Sequence, residues 1–356
     1  MMSKSRLFKK LSTLFIPVLL LLSFSAAAAK PTFNIAWSIY AGWMPWEYAQ
    51  QSGILKKWAD KYDIKINLTQ VNDYVESINQ YTAGKFAGCV MTNMDALTIP
   101  AASGVDTSAI IVGDYSDGND GIVLKGKKSL KDIKGQRVNL VSLSVSEYLL
   151  ARALQFQNMS EKDVTLVNTS DSDIVSSFQS PDVTAAVTWN PMLNVIKSQP
   201  DAHEVFSSHM IPGEILDLMV VKTDVLKKHP ELGKALTGAW YETMKVMQSD
   251  SKQGIAARTE MAKASGTDLA DYNKQLKTTY MFYSAQKALK ETTSPKLKET
   301  MSLIARFSYD HGLLGDSAPS ADFIGIQTPA GTYGDKGNIK FRFDPTFMKL
   351  AASDKL

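Results

Sequence analysis

The residues with the clearest potential for chemistry are aromatic, and they are concentrated in the stretch 37–48. This stretch contains three tryptophans and two tyrosines, with no Lys or Arg. It follows a short extended run at 33–36 and leads into a helical pattern that ends at Gly53. Proteins of the α/β class place ligands where a strand breaks into a loop before a helix. The composition predicts an aromatic-walled pocket and argues against an anion that needs basic side chains.

Basic side chains are also missing from the other predicted strand-to-helix turns, whereas acidic ones are common there. The windows without Lys or Arg are 33–55, 86–124, 138–151, 163–196 and 198–221. Carboxylates accept hydrogen bonds from the N–H groups of a small planar cation, and aromatic faces attract its charge. A charge-assisted hydrogen bond contributes about 1.5–3 kcal/mol. One buried, ionised carboxylate would therefore favour guanidinium over neutral urea by roughly one to two orders of magnitude.

These patterns predict a set of ligand-binding residues at the loops and helix starts. The set consists of Ser38, Tyr40, Trp43, Trp46, Asp95, Asp114, Ser144, Glu147, Trp189, Asn190 and Asp217. Asp217 belongs to it because a charge just before an apolar strand is unusual for a solvated residue. Ser144 and Ser146 are expected either to cap a helix or to donate hydrogen bonds to the ligand. Asp117 and Asp120 are expected in a solvated turn, with calcium ligation as a weaker alternative because the rest of a calcium loop is missing.

Several members of the set also have a structural explanation that the sequence leaves open. A tryptophan can either pack in the core or line a cleft, and both roles are open for Trp43, Trp46 and Trp189. Asp95 has the type of a helix N-cap. Glu147 lies in the first turn of a predicted helix, where the helix dipole favours a carboxylate in any case.

The residue pattern of 1–29 predicts an export signal. Basic residues at its start precede a mostly apolar run at 11–24, and Ala27–Ala29 fits a small-residue cleavage site. The run is short for a membrane span, so we expect a soluble periplasmic protein, cleaved near Ala29. The chain has 39 Lys plus Arg against 36 Asp plus Glu, and four of the basic residues and none of the acidic ones lie in this segment. The mature chain is thus one charge below zero, which removes the support for nucleic-acid binding.

Hydrophobic periodicity predicts two series of alternating strands and helices, followed by a helical region. Predicted strands lie at 33–37, 65–71, 88–91, 108–113, 122–124, 137–141, 164–168, 184–188, 203–206, 217–221 and 339–343, and the long later helices at 224–249, 252–265, 268–291 and 295–311. This order predicts two α/β lobes joined by crossings near 121–124 and 217–221, with the ligand between them. The expected lobe one is 30–122 with 220–356, and the expected lobe two is 123–219.

Catalytic motifs are missing from the sequence. It has no G-x-S-x-G and no H-E-x-x-H, and its four histidines are scattered. The single cysteine, Cys89, excludes an internal disulfide and is expected to pack in a buried strand. We therefore expect no enzyme, no cofactor and no metal site.

Five short segments carry a family likeness through their order and spacing. They are 49–55, 83–88, 130–138, 144–154 and 228–232. Together they resemble the periplasmic substrate-binding proteins of ABC importers for nitrate, taurine and aliphatic sulfonates, over nearly the whole mature chain. The resemblance implies a two-lobed type II periplasmic-binding fold with a hinge of two crossing strands. It also implies a membrane permease and its ATPase as partners of a monomeric protein.

Four further segments are similar to one branch of that family. The segments 37–43, 92–95, 113–116 and 188–191 resemble proteins labelled as urea-type and linked to guanidine assimilation. With the acidic, aromatic loops, this likeness predicts capture of a small, planar, nitrogen-rich ligand, guanidinium or urea-like, for delivery to the permease. The alternatives are taurine or another alkanesulfonate, nitrate held by helix N-termini, a thiamine-pyrimidine-type ligand, and a sensor that presents its ligand to a receptor.

Overall fold

The structure is a computed structural model that describes residues 29–356. The predicted export signal therefore lies, apart from Ala29, outside the described residues. The strands are β1 (Thr32–Trp37), β2 (Lys65–Gln70), β3 (Gly88–Thr92), β4 (Thr107–Ser116), β5 (Asp120–Lys125), β6 (Arg137–Leu140), β7 (Thr165–Asn168), β8 (Ala185–Trp189), β9 (Ala202–Ser207), β10 (Leu216–Lys222), β11 (Thr279–Met281), β12 (Gly325–Thr328), β13 (Gly331–Tyr333) and β14 (Ile339–Phe343).

The α-helices alternate with the strands in the first two thirds of the chain and dominate the last third. They are α1 (Met44–Gln51), α2 (Ile54–Lys61), α3 (Tyr74–Thr82), α4 (Asn93–Ala96), α5 (Val145–Gln155), α6 (Ile174–Gln179), α7 (Met192–Lys197), α8 (Thr223–Lys228), α9 (Pro230–Met247), α10 (Lys252–Ala264), α11 (Leu269–Leu276), α12 (Ala285–Thr292), α13 (Pro295–Asp310) and α14 (Thr346–Ala352). Among these helices, none is long and apolar enough to cross a bilayer.

The first sheet is built from two separate parts of the chain. Its order is β13-β12-β14-β4-β10-β3-β1-β2, and β11 pairs with β4. The strands β1, β2 and β3 are parallel to one another, whereas β10 runs antiparallel between β3 and β4. All residues of β3 are buried, as expected for an inner strand covered on both faces. Because β10 is antiparallel to both neighbours, its first residues lie next to the last residues of β3 and β4.

The second sheet is formed by one continuous part of the chain. Its order is β7-β6-β8-β5-β9, with β5 antiparallel to both of its neighbours. The chain leaves the first sheet after Ser116, enters the second at Asp120, and returns between Ser207 and Leu216. The segments 121–124 and 217–221, expected near the two crossings, lie instead within β5 of the second sheet and β10 of the first. The lobe boundaries drawn from the sequence stay a prediction.

Two local predictions fail, one of them only in part, because tertiary pairing overrides them. The turn expected around Asp117 and Asp120 is present at 117–119 with Asp117 partly exposed, but Asp120 is buried at the start of β5 and not solvated. The helix expected over 268–291 is interrupted by β11, which pairs with the end of β4. Both errors concern the same place, where the chain passes from one sheet to the other.

The later helices hold the aromatic loop in place. Helix α9 packs against α1 and α2, and Trp240 on α9 lies 4.9 Å from Trp46 between ring centroids. Tyr272 on α11 is fully buried, and its hydroxyl donates a hydrogen bond of 2.9 Å to the carbonyl oxygen of Ala41. The loop between β1 and α1 is thus fixed by side chains more than 190 residues away in the chain.

Replacing Tyr272 tests this anchor. Tyr272→Phe keeps the ring but leaves the Ala41 carbonyl without its buried donor, so we expect a loss of about 1–3 kcal/mol in the free energy of unfolding. Thermal unfolding followed by calorimetry measures it. Tyr309→Phe is the matched control, because the Tyr309 hydroxyl contacts Pro319 at 3.4 Å on a side chain that is 38% exposed, and we expect less than about 0.5 kcal/mol. Equal losses in both variants would contradict the anchor.

Candidate functional site

Two rows of paired residues form the base of the candidate site. In the first sheet, Asp217 on β10 is paired with Thr92 on β3 and with Asp114 on β4. In the second sheet, Asp120 on β5 is paired with Trp189 on β8. Directly opposed residues on neighbouring strands present their side chains to the same face. The short passage from β4 to β5 brings the two rows together, so three carboxylates from different strands share one place.

A small cavity lies where the two rows meet. Its free volume is about 10 Å³, close to what a single water molecule needs, so the walls nearly meet. Its lining residues are Tyr40, Trp43, Tyr74, Thr92, Asp120, Val145, Trp189 and Asp217. Half of these side chains are aromatic and two are carboxylates, and none of the lining residues in the described part of the chain is basic. The lining suits a ligand without negative charge.

The four aromatic rings contact one another in a chain around the cavity. Ring centroids lie 4.9 Å apart for Tyr40 and Trp43, 5.6 Å for Trp43 and Tyr74, and 5.4 Å for Tyr74 and Trp189. Two of these contacts are edge-to-face, an arrangement that aromatic quadrupoles favour. All four side chains are buried. The rings therefore form a continuous wall with little freedom to rotate.

Each tyrosine of the wall connects the cavity to a buried aspartate behind it. The Tyr40 hydroxyl donates to Asp114 Oδ1 at 3.0 Å, and the Tyr74 hydroxyl donates to Asp95 Oδ2 at 2.5 Å. Thr92 Oγ1 donates to the same Asp95 oxygen at 2.9 Å. Asp95 and Asp114 thus lie behind the lining residues and orient them.

Several buried polar atoms around the cavity have no hydrogen-bond partner among residues 29–356. They are Ser38 Oγ, Trp43 Nε1, Asp95 Oδ1, Asp114 Oδ2, Ser146 Oγ, Thr188 Oγ1 and Asp217 Oδ2. A buried polar group without a partner costs about 1–3 kcal/mol. Three of these atoms are carboxylate oxygens, which accept hydrogen bonds. A ligand rich in N–H donors would satisfy the orphaned Asp217 oxygen, which lies on a lining residue.

Burial raises the pKa of the four aspartates at the site. The pKa of Asp95 rises to about 6, since desolvation outweighs its hydrogen bonds from Tyr74 and Thr92. Desolvation also raises the pKa of Asp120 to about 7. For Asp114 and Asp217 desolvation again raises the pKa, and for Asp217 the neighbouring Asp114 charge raises it further. No basic side chain lowers the pKa of any of these four carboxyl groups. Each of them therefore needs a proton or a bound cation to balance its charge.

Hydrogen bonds between the two sheet regions close the cavity. Trp189 Nε1 donates to the carbonyl oxygen of Ile39 at 3.4 Å, and the N–H of Ala41 donates to the carbonyl oxygen of Asn190 at 3.3 Å. On the other side, the N–H of Tyr74 donates to Asp171 Oδ1 at 3.2 Å. Parts of the chain that carry the first and the second sheet are thus in direct contact around the aromatic wall.

The structure brings four of the expected ligand-binding residues to the cavity surface: Tyr40, Trp43, Trp189 and Asp217. Trp46 does not line it and packs against Trp240 in the core. The N-cap expected at Asp95 is Thr92, whose side chain accepts from the Asp95 N–H.

Other members of the expected set have structural partners outside the cavity lining. Ser144 caps α5, where its Oγ accepts from the Ser146 N–H at 3.2 Å and donates to the Val141 carbonyl. Glu147 accepts from the Leu143 N–H at 2.6 Å, and is half-buried beside the second sheet. Asn190 Oδ1 accepts from the N–H of Asn194 at 3.0 Å. Ser38 is buried next to the wall, with its Oγ unpaired.

Four lining residues were not in the expected set: Tyr74, Thr92, Asp120 and Val145. Tyr74 has the spacing of an apolar helix position, and Thr92 lies in one of the family-like segments. Asp120 comes shortly before the apolar run 122–124, the same pattern that selected Asp217. The criterion of a charge just before an apolar strand therefore identifies Asp120 as well as Asp217.

The remaining reactive side chains lie away from the cavity lining. Cys89 is buried in β3, and burial raises the pKa of its thiol to about 12. His209 pairs with Asp117, and His311 contacts Glu161. Within residues 29–356, no group of three or more His, Cys, Asp or Glu side chains has an arrangement that would hold a metal ion.

Comparison with known proteins identifies a family. The family model described as "NMT1/THI5 like" matches residues 44–253. The taurine-binding periplasmic protein of Escherichia coli (strain K12) is 26% identical over 143 residues, which cover 39% of this chain and 44% of that protein. The chain spans about half the length of the curated relatives that it matches.

Solved structures share the architecture. An alkanesulfonate-binding protein from Xanthomonas axonopodis pv. citri, bound to MOPS, has a TM-score of 0.67 at 16% identity, covering 81% of this chain and 96% of that one. The periplasmic nitrate-binding protein from Synechocystis PCC 6803 has a TM-score of 0.57 at 10% identity, covering 92% and 99%. The expected α/β, two-lobed periplasmic-binding-protein fold is confirmed, as is the likeness to the taurine, sulfonate and nitrate class. The urea and guanidine branch stays a prediction.

The buried carboxyl groups predict how stability depends on pH. Their folded-state pKa values lie above the ordinary value of 3.8, so the folded protein binds protons more tightly than the unfolded chain. This contribution is complete below about pH 4 and is lost as the pH rises through 6 to 7. We expect the melting temperature of the ligand-free mature protein to fall between pH 5 and 8. Each kcal/mol lost lowers it by roughly 2–4 °C.

Two variants separate this effect from the general titration of the protein. Asp120→Asn removes one of the groups, so the decline of melting temperature with pH should become shallower. Asp316→Asn changes an exposed aspartate and should leave the wild-type slope unchanged. A melting temperature that rises between pH 5 and 8 would contradict the burial of neutral carboxyl groups.

Proposed function

The chain belongs to the NMT1/THI5-like family, and we propose that it is the exported solute-binding component of an ABC importer. It would act in the periplasm as a monomer after cleavage near Ala29, and deliver its ligand to a membrane permease served by an ATPase. The cavity between the two sheet regions and the likeness to binding proteins support this role. In this role the protein binds and releases its ligand unchanged, without catalysis.

The proposed ligand is a small planar cation of the guanidinium type. The observation that carries this proposal is the cavity lining, with four aromatic rings and two carboxylates but no basic side chain among the described residues. Asp217 belongs to the first sheet and Asp120 to the second. A guanidinium ion has N–H donors on several edges, so it can bond both carboxylates at once while a ring covers its face. Such a ligand would hold the two halves of the site together.

The magnitudes favour selection by charge. Each charge-assisted hydrogen bond contributes about 1.5–3 kcal/mol, and a desolvated cation–π contact about 2 kcal/mol. Urea also donates to an ionised carboxylate, but it has fewer N–H groups than guanidinium and lacks the attraction between opposite charges. A sulfonate or nitrate would face Asp120 and Asp217 directly and would be repelled while either is ionised.

Two observations support other ligands of the class. Trp43 Nε1 is a buried donor without a partner, and it would suit the carbonyl oxygen of urea. Val145, the first residue of α5, lines the cavity, and a helix N-terminus attracts an anionic group such as the sulfonate of taurine. In that second arrangement the taurine ammonium group would occupy the acidic, aromatic side.

Titration calorimetry with the mature protein tests the proposal. Guanidinium, urea, taurine and nitrate are each used at submillimolar concentration and neutral pH, where none of them denatures proteins. We expect guanidinium to bind most tightly, because it alone combines charge with N–H donors on all edges. Binding of taurine or nitrate without binding of guanidinium would overturn the cationic ligand and leave the solute-binding role intact.

A charge-removing variant locates the ligand. Asp217→Asn keeps the shape of the side chain and removes its charge, so guanidinium affinity should fall by about 10- to 100-fold. Urea affinity should change less, since urea loses a hydrogen bond to a charged acceptor but no attraction between opposite charges. Asp316→Asn is the control at an exposed position and should bind like the wild type. Unchanged guanidinium affinity in the Asp217 variant would place the ligand elsewhere.

A further inference from the structure

Asp114 is a buried acid that the proposed ligand contacts do not use. It lies opposite Asp217 in the pairing of β4 with β10, and both side chains are buried, with 0% and 3% exposure. Directly opposed residues of neighbouring strands carry their side chains on the same face, so the two carboxyl groups lie side by side and each acts on the pKa of the other. Their Oδ2 atoms have no N–H or O–H partner among the described residues. Two carboxyl groups in such contact require a proton between them.

The surroundings hold Asp114 in this position. Tyr40 donates to Asp114 Oδ1 at 3.0 Å. A Cβ atom at Gly42 would lie 2.6 Å from Asp114 Oδ2 and 2.5 Å from the Tyr40 ring, so the loop can pass this close only with glycine there. The carboxyl group of Asp114 is therefore enclosed by the aromatic loop and faces Asp217.

The charged and titratable groups around the pair provide no counter-ion. Asp120 on β5 adds a negative charge next to both acids, and Tyr40 contributes a neutral hydroxyl. From the later helical region, Tyr272 and Tyr283 also lie within electrostatic reach of Asp114. Arg258 lowers the pKa of those two tyrosines but does not contribute to the pKa of either acid. Two ionised carboxylates in contact, without a cation, are unfavourable in such a setting.

We propose that Asp114 and Asp217 share one proton when no ligand is bound, and that a monovalent cation binding at Asp217 displaces this proton. The inference rests on the proposed cationic ligand and deepens it. The O–H bond breaks and the proton passes to solvent, while the cation supplies one positive charge in its place. The net charge of the buried site is the same before and after binding. Asp114 is thus a positioning residue that sets the protonation of Asp217 and does not touch the ligand.

This exchange gives the site a preference by charge. A neutral ligand cannot replace the proton without leaving two anions in contact, and an anion adds a third negative charge. A monocation replaces it without charge build-up. Because protons compete with the ligand, guanidinium affinity should fall as the pH is lowered. Once every pair holds its one shared proton, the fall should reach up to about tenfold per pH unit. Desolvation raises the pKa of both acids, so this competition extends above the pH range in which an ordinary carboxyl group titrates.

The test is the number of protons released on binding. Guanidinium is titrated into the mature protein at about pH 8, where Asp120, whose pKa is about 7, is already mostly ionised. Two buffers with different ionisation enthalpies are used, and the difference in observed heat gives the proton count. We expect release of about one proton per ligand in the wild type. In Asp114→Asn, Asp217 loses its proton-sharing partner, so guanidinium should still bind while the release drops to well under half. Equal release in both proteins would overturn the proposal.

A second variant covers the case in which Asp114→Asn does not fold. Tyr40→Phe removes the hydrogen bond that lowers the pKa of Asp114. The proton should then be held more tightly, and the pH range of release should move upward. Asp316→Asn is the control and should release protons as the wild type does. A pH range that is unchanged, or moves downward, in Tyr40→Phe contradicts the shared proton.

A measurement without ligand separates this inference from the proposed function. Infrared titration of the ligand-free protein should show a buried, protonated carboxyl group that persists at about pH 8, above the pKa values of Asp95 and Asp120, and that is lost in Asp114→Asn. If guanidinium fails to bind but this signal is present, the proposed ligand is wrong and the shared proton stands. If guanidinium binds without proton release and the signal is missing, the shared proton is wrong and the function stands.

Discussion

The rest of the structure depends on one electrostatic constraint, which is the burial of several carboxyl groups without a buried cation. Asp217 and Asp120 line the cavity, while Asp95 and Asp114 lie just behind it. Removing such groups from water is costly unless charge or protons compensate it. The protein retains these acids at the meeting point of its two sheets, where they destabilise the ligand-free fold above neutral pH. Such a cost is typical of a site retained for function.

The scaffold keeps these acids in register through elements distant in sequence. Strand β10 lies antiparallel between β3 and β4, so Asp217 is opposite Thr92 on one side and Asp114 on the other. The aromatic loop is anchored by Tyr272 from α11. Tyr40 and Tyr74 each present a ring to the cavity and a hydroxyl to an acid behind it. The protonation of each acid therefore bears directly on a hydrogen bond that holds a ring of the cavity wall.

The cavity lining contrasts with the charge of the ligands named for proteins that share the fold. Solved structures with this architecture are named for binding alkanesulfonate and nitrate, both anions. Here the cavity lining contains carboxylates and aromatic rings, without a basic side chain among the described residues. The fold places a cleft between two sheet regions, and the side chains at the strand ends decide what enters it. Ligand class must therefore be argued from the lining and not from the architecture.

Local features of the sequence determined the α/β class and the family likeness. They also determined the aromatic loop and the shortage of basic residues near the turns. All four depend only on composition and periodicity within short segments. The tertiary structure decided which acids meet. Asp120, expected in a solvated turn, became a lining residue, whereas Trp46 and Glu147 found partners elsewhere. The physical reason is that strand order and register are set by pairing between distant segments, and a shift of one residue turns a side chain to the opposite face. No local pattern around Asp114, Asp120 or Asp217 encodes that their strands become neighbours.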